Sequence, residues 1–291
     1  MIKTIENPYL KLSVSTLGAE MMELTDGEGI QYLWQGDPNY WRKRAPNLFP
    51  FIGRLTDQSY THRGQVYPMG IHGFASSQEF AVDTQQNTAL TLRLDSNEET
   101  LHQYPFAFSL LVTYRLDGTS VHITYEVRNH SGETMPFGIG GHPGFRVPLS
   151  EDECFTDYAL EFSQACQPDR IGFTPAVYLS GHDEVYPLEA DKRLPLRHDL
   201  FDDDAIILKN VSREIKLYSK VHSITVTYPQ MPYLGIWHCP KKDAPYVCIE
   251  PWTSLPARQD VVEELLCKSD LIHLEAGDIY RNTWTIRIGD N

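Results

Sequence analysis

His142 and Glu250 share a setting: each is a titratable residue followed at once by proline, at the end of a glycine-rich or apolar run. In Gly138-Ile139-Gly140-Gly141-His142-Pro143-Gly144 the glycines remove side chains that would crowd the imidazole, and Pro143 biases the histidine toward extended backbone. An imidazole held on a rigid turn suits proton transfer, because its reference pKa of ~6.5 lets it give or take a proton near neutrality. In Tyr246-Val247-Cys248-Ile249-Glu250-Pro251-Trp252 an apolar strand delivers a carboxylate at its end, where Pro251 is expected to stop the ladder. Apolar and aromatic neighbours raise a carboxylate's proton affinity, which suits a general base. The plain structural alternatives are a histidine bonded to a loop carbonyl and a strand-end glutamate paired with an arginine.

Two further positions join this pair. Phe49-Pro50-Phe51-Ile52-Gly53-Arg54-Leu55 places Arg54 in an otherwise apolar stretch, and Met69-Gly70-Ile71-His72-Gly73-Phe74 puts His72 between glycines. A guanidinium in such surroundings holds a carboxylate or a ligand's oxygens. A core ion pair for Arg54 and a loop hydrogen bond for His72 are the competing roles. Aromatic residues crowd the same segments: Trp34, Tyr40, Trp41, Phe74, Phe145 and Trp252. Sugar rings rest their C–H faces on aromatic planes, and their hydroxyl rims take Asp, Glu, Asn, Arg and His. Core packing accounts for most of the 16 Tyr, 12 Phe and 5 Trp, but not for their concentration beside these polar groups. No GxSxG elbow, GxxxxGK[ST] loop or HExxH helix occurs. The glycine cluster fails as a dinucleotide loop, since Pro143 stands where the third glycine belongs and no helical pattern follows.

Strands must position these side chains. Leu10-Lys11-Leu12-Ser13-Val14, Leu90 to Leu94, Val121 to Val127, Ile215 to Tyr218, Ile224 to Tyr228 and Trp284 to Ile288 all alternate apolar with polar residues. Period two puts every second side chain on one sheet face, so these are half-buried strands, with turns at Asp26-Gly27, Asp117-Gly118, Ser131-Gly132 and Ser180-Gly181 between them. Two stretches read as helical: 97–104, ending before Pro105, and 259–267, with Val261, Val262, Leu265 and Leu266 on one face. Neither is long enough to cover a parallel sheet, which argues against βαβ winding. Strand signal runs from residue 10 to residue 288 without a linker or a repeat. The expectation is all-β: one domain over residues 1–291, a large sandwich of two antiparallel sheets with very little helix.

Composition excludes several partners. Against 39 Asp and Glu stand 25 Lys and Arg, a net charge of −14 that repels nucleic acid and anionic membranes. Five cysteines, Cys154, Cys166, Cys239, Cys248 and Cys267, form no CxxC pair, so neither a disulfide framework nor a zinc site is expected and the thiols fit a reducing cytoplasm. Glu6 and Pro8 stand where a signal peptide needs an apolar run, and no stretch approaches the ~20 apolar residues of a spanning helix.

In order along the chain, Phe49-Pro-Phe-Ile-Gly-Arg54, Gly70-Ile-His72-Gly-Phe74, Gly140-Gly-His142-Pro-Gly-Phe145 and Ile249-Glu250-Pro-Trp252 resemble the aldose 1-epimerase (galactose mutarotase) family, most closely its shorter bacterial LacX-like branch. The resemblance spans essentially the whole chain and implies a galactose mutarotase-like β-supersandwich with the sugar in a groove on one sheet. It implies that Glu250 is the general base at the anomeric hydroxyl, that His142 is the general acid at the ring oxygen, and that His72 and Arg54 bind the sugar. A sugar-binding aspartate of the family falls in Phe201-Asp202-Asp203-Asp204-Ala205-Ile206; Asp204, directly before the apolar run, is preferred over Asp203 and Asp202. The implied activity is interconversion of the anomers of a hexose, with no metal or cofactor, by a cytoplasmic monomer or homodimer. Two rivals are a 1-epimerase of a hexose phosphate, with Arg42, Lys43 and Arg44 as cations, and a carbohydrate-binding or sensor protein that has lost catalysis. The enzymatic reading requires His142 and Glu250 to meet across one pyranose-sized hollow.

Overall fold

The computed structural model describes residues 1–290. The alternation read over 121–127 is a strand, Ser120–Asn129, whose residues are half-buried and buried by turns. It lies near the middle of a nine-stranded sheet ordered Arg193–Pro195, Ala159–Phe162, Glu214–Tyr218, His222–Thr227, Ile279–Asp290, Ser120–Asn129, Phe108–Asp117, Ala89–Asp95 and Ala81–Gln85. A second, eight-stranded sheet runs Glu184–Val185, Asp169–Arg170, Ile206–Lys209, Tyr233–Trp237, Tyr246–Trp252, Gly140–Gly141 and Asn47–Leu48, with Gly144–Arg146 also paired to Tyr246–Trp252. The ladders of both sheets are antiparallel.

The main hydrophobic cluster reaches from Ile5 to Ile288. It takes Val121, Ile123, Tyr125 and Val127 from the first sheet and Leu234, Ile236, Val247 and Ile249 from the second. The sequence therefore folds as the expected β-sandwich. The second sheet is unusual in being covered on both faces. All seven residues of Tyr246–Trp252 are buried, and its even positions enter two smaller clusters: Tyr246 and Cys248 with Trp34, and Trp252 with Leu48 and Ile207.

Of the two helical expectations, one holds. Glu98–Gln103 is a helix whose Asn97 side chain accepts from Thr100 N (3.0 Å) while the Thr100 hydroxyl accepts from Asn97 N (2.8 Å). The stretch 259–267 is not a helix: it contains only the 3₁₀ turn Leu265–Cys267. Thr61 N donates to Glu263 O (2.9 Å), and Thr61 bridges Glu264 in parallel, so sheet-like pairing draws the segment out. Val261, Val262 and Leu266 are left exposed. Pro251 likewise does not end its strand, which continues to Trp252. Among the described residues no helix is long and apolar enough to cross a membrane.

Candidate active site

Strand period fixes where Glu250 points. Along Tyr246–Trp252, Val247 and Ile249 join the sandwich core, so Cys248, Glu250 and Trp252 face the other way. Ile249 N donates to Pro143 O (3.1 Å), and by the same period position 251 would aim its N–H at that side. There the neighbouring chain leaves the ladder. Gly140 pairs with Trp252 and Gly144 with Cys248, and the excursion between them carries His142. The missing N–H of Pro251 thus falls where the ladder is already open, which is why the proline is tolerated. Gly141 permits the tight approach: a Cβ there would stand 2.5 Å from the Trp284 ring.

The result is a contact between two distant residues. His142 Nε2 lies 3.2 Å from Glu250 Oε2, with the glutamate 2% exposed and the histidine side chain 10%. The pair stands side by side on one wall, not across a hollow. Trp41 stacks on the imidazole (4.8 Å between centroids, 26°), and Trp237 meets it edge-on at 5.7 Å. Burial pushes the Glu250 carboxyl well above the usual carboxylate range, and the Asp204 charge adds to the push. Burial, then His72, holds the His142 imidazole well below its ordinary value.

His72, Arg54 and Asp204 border the same cavity, of about 500 Å³, which Trp41, Lys43, Phe173, Trp237 and Trp252 also line. His72 has left-handed backbone (φ 63) and is tied to the Arg54 loop twice: its N–H donates to Gly53 O (2.9 Å), and its Nδ1 accepts from Gly53 N (3.1 Å). That bond leaves Nε2 as the protonated nitrogen of the neutral ring. Burial, with Arg54 assisting, lowers the His72 pKa to about 4. The loop hydrogen bond expected as the competing role for His72 is real, and the ring lines the cavity as well. Arg54 is exposed and makes no ion pair among the described residues. Asp204 (φ 80) accepts from its neighbour Ala205 N (2.9 Å) through Oδ1. Asp202 and Asp203 line an adjoining hollow instead. From the basic run, Lys43 reaches the wall, but its ammonium donates to Ser76 O (2.9 Å) and lies 3.8 Å from Glu20.

Sequence reasoning missed Trp237 and Gly235. Gly235 is the cross-strand partner of Glu250, and Trp237 that of Cys248. Their strand, Tyr233–Trp237, carries an ordinary apolar pattern, and only the register reveals what it faces.

Residues 1–286 match the Aldose 1-epimerase family. The plasmid-encoded protein LacX of Lactococcus lactis subsp. lactis is 36% identical over 262 residues, covering 86% of this chain and 87% of that one. Among solved structures, a galactose mutarotase related enzyme from Lactobacillus acidophilus superposes with a TM-score of 0.95 at 33% identity, over 99% of this chain and 97% of that one. A galactose mutarotase-like protein from Lactobacillus casei ATCC 334 gives 0.94 at 34% identity, over 99% and 100%.

Proposed function

The chain belongs to the aldose 1-epimerase family, and from that premise we propose that it interconverts the α and β anomers of a free aldohexose by acid–base opening and reclosure of the ring. The observation that carries this reading is the 3.2 Å contact between His142 Nε2 and Glu250 Oε2 at the cavity wall. Both oxygens that must exchange protons, the anomeric hydroxyl and the ring oxygen, hang on C1. A base for one and an acid for the other must therefore be neighbours, as these two atoms are.

Glu250 takes the proton of the C1 hydroxyl while protonated His142 gives one to the ring oxygen. The C1–O5 bond breaks as C1=O forms, rotation about C1–C2 turns the other carbonyl face to O5, and the reverse transfers close the ring. At rest the shared proton sits on the carboxyl; its transfer across the 3.2 Å contact gives the reacting carboxylate and imidazolium, and ring opening returns the pair to carboxylic acid and imidazole, one proton being held throughout. Burial favours the direction of transfer at both ends. A carboxylate whose proton affinity is raised is a stronger base, and an imidazolium whose affinity is lowered is a stronger acid. Arg54 and the Nε2–H of neutral His72 donate to hydroxyls, and Asp204 accepts from them. Trp252 lines the cavity and offers an apolar plane.

Charge at the rim favours a free sugar over a sugar phosphate. Lys43 is engaged elsewhere, which leaves Arg54 as the other Lys or Arg on the cavity wall among the described residues, and a phosphate brought into the cavity also meets the Asp204 carboxylate.

Polarimetry on freshly dissolved α-galactose and α-glucose tests the proposal. The protein should speed mutarotation, and Glu250→Gln should lower kcat by about 10²-fold or more while remaining folded. Absence of acceleration on any aldose leaves only a binding role, and near-normal turnover by the variant removes Glu250 as the base. Hexose 6-phosphate in place of hexose should be the poorer substrate.

A further inference from the structure

Cys248 sits two residues before Glu250 on the same sheet face and is fully buried. Its sulfur, one ring nitrogen of His142 and one carboxylate oxygen of Glu250 all lie within 4.8 Å of one another. We propose that these three side chains form a binding site for a thiophilic divalent cation of the zinc class, and that a cation seated there silences the proton carriers. Cys–His–carboxylate is a donor set such cations favour.

The geometry suits a tetrahedral ion. With bonds of about 2.0 Å to nitrogen and oxygen, the 3.2 Å between His142 Nε2 and Glu250 Oε2 subtends about 105° at a shared metal. Bringing the sulfur to a tetrahedral edge of ~3.5 Å takes at most about 1.3 Å of movement from the 4.8 Å limit. Gly235 gives the Glu250 carboxylate a bare neighbour on the adjacent strand against which to turn. The fourth position opens on the cavity that His142 and Glu250 line, where water or a sugar hydroxyl completes the shell.

Charge strengthens the case. A thiolate and a carboxylate neutralise a divalent cation, so the loaded site carries no net charge, as a buried wall demands. Binding displaces the thiol proton and the single proton shared by the pair. A metal between His142 and Glu250 then occupies the lone pairs that would move protons. Cysteine spacing along the chain cannot reveal such a site, because its nitrogen donor lies 106 residues from the sulfur (248 − 142).

The silencing rests on the epimerase reading, whereas the binding rests on geometry alone, so the two are measured separately. Reduced protein titrated with Co²⁺ should bind one equivalent and develop the near-ultraviolet thiolate-to-cobalt charge-transfer band, which Zn²⁺ then displaces. Cys248→Ser should lose the band and weaken Zn²⁺ by about 100-fold or more, with Glu250→Gln, which keeps the thiol, also binding more weakly. Should the serine variant not fold, the glutamine variant and the wild-type stoichiometry decide the matter. No saturable one-to-one binding by the wild type, or a band that persists in Cys248→Ser, overturns the site. Zn²⁺ should also stop mutarotation until a chelator removes it, and full activity of the Zn²⁺-loaded protein overturns the silencing. A protein that binds Co²⁺ but never accelerates mutarotation refutes the epimerase reading and leaves the site standing.

Discussion

Gly235→Ala probes the position of the base without touching a group that moves a proton. Glycine 235 faces Glu250 across the ladder, and a methyl there would lie 3.2 Å from the Glu250 Cβ, 3.3 Å from Trp252 Cζ2 and 3.5 Å from the Glu250 Cδ. Carbon pairs settle at about 3.5–4.0 Å, so the glutamate must retreat by about 0.5 Å. Misplacement by about 1 Å costs about 10²-fold in rate, so half that displacement costs about tenfold in kcat. Arg54 and His72 come from other segments and stay in place, so KM should move less than kcat, its change coming through the crowded Trp252 ring. Overpacking of about 1–3 kcal/mol is partly offset by the ~0.4–1 kcal/mol that alanine gains over glycine through the unfolded chain, and the variant should fold. Gly289→Ala supplies the control, because its new methyl meets nothing nearer than Ser223 Oγ at 3.9 Å. Polarimetry at saturating α-glucose, with kcat and KM resolved, reads the outcome. A folded Gly235→Ala with full kcat would refute the claim that Glu250 is held at a reacting geometry.

Three shorter expectations accompany it. Asp204→Asn removes the charge that helps raise Glu250, so the base weakens, kcat falls about tenfold and the alkaline edge of the pH–rate profile moves down. His238 is fully buried and its pKa is lowered to about 4, chiefly by burial. Its stabilising contribution is therefore complete above ~6.5 and is lost as pH falls toward 4, at most about 3 kcal/mol. Thermal melts at pH 7 and pH 4.5 should show that loss, and the same drop in His238→Asn would remove this histidine as its cause. Asn97→Ala deletes the side-chain arm of the capping box, in which Asn97 Oδ1 accepts from Thr100 N, and keeps the backbone arm; it should lower stability by about 1 kcal/mol, read in urea, with mutarotation unchanged.

What the sequence disclosed about this site was local. His142 and Glu250 announce themselves through the prolines that follow them, and Asp204 through its place before an apolar strand. What it hid was pairing. That Gly140 lies against Trp252 while Gly144 lies against Cys248 opens the excursion on which His142 reaches Glu250, and no spacing within 138–144 states it. For the same reason Pro251 looked like a strand end: its lost hydrogen bond matters only if a neighbour stands there to accept one. The segment 259–267 misled through its apolar period, because of that face only Leu265 reaches the core while Thr61 offered a ladder partner.

Burial of the pair also sets the pH dependence, and here buried and ordinary carriers predict opposite behaviour. Were Glu250 and His142 ordinary and separate, carboxylate and imidazolium would coexist only between about 4.3 and 6.5, and activity would fall as pH rose through 6.5. In contact, they hold one proton as a unit. Removing that proton requires deprotonating a carboxyl raised well above its usual range, and adding a second requires charging an imidazole held well below its own. Both shifts widen the one-proton window, the first at its alkaline edge and the second at its acid edge. kcat/KM should therefore run level from below pH 6.5 through neutrality, and mutarotation corrected for the spontaneous rate at pH 5.5, 6.5 and 7.5 measures it. A fall through 6.5 would mean that the imidazole titrates as though it were not buried, and the one-proton state would have to be abandoned.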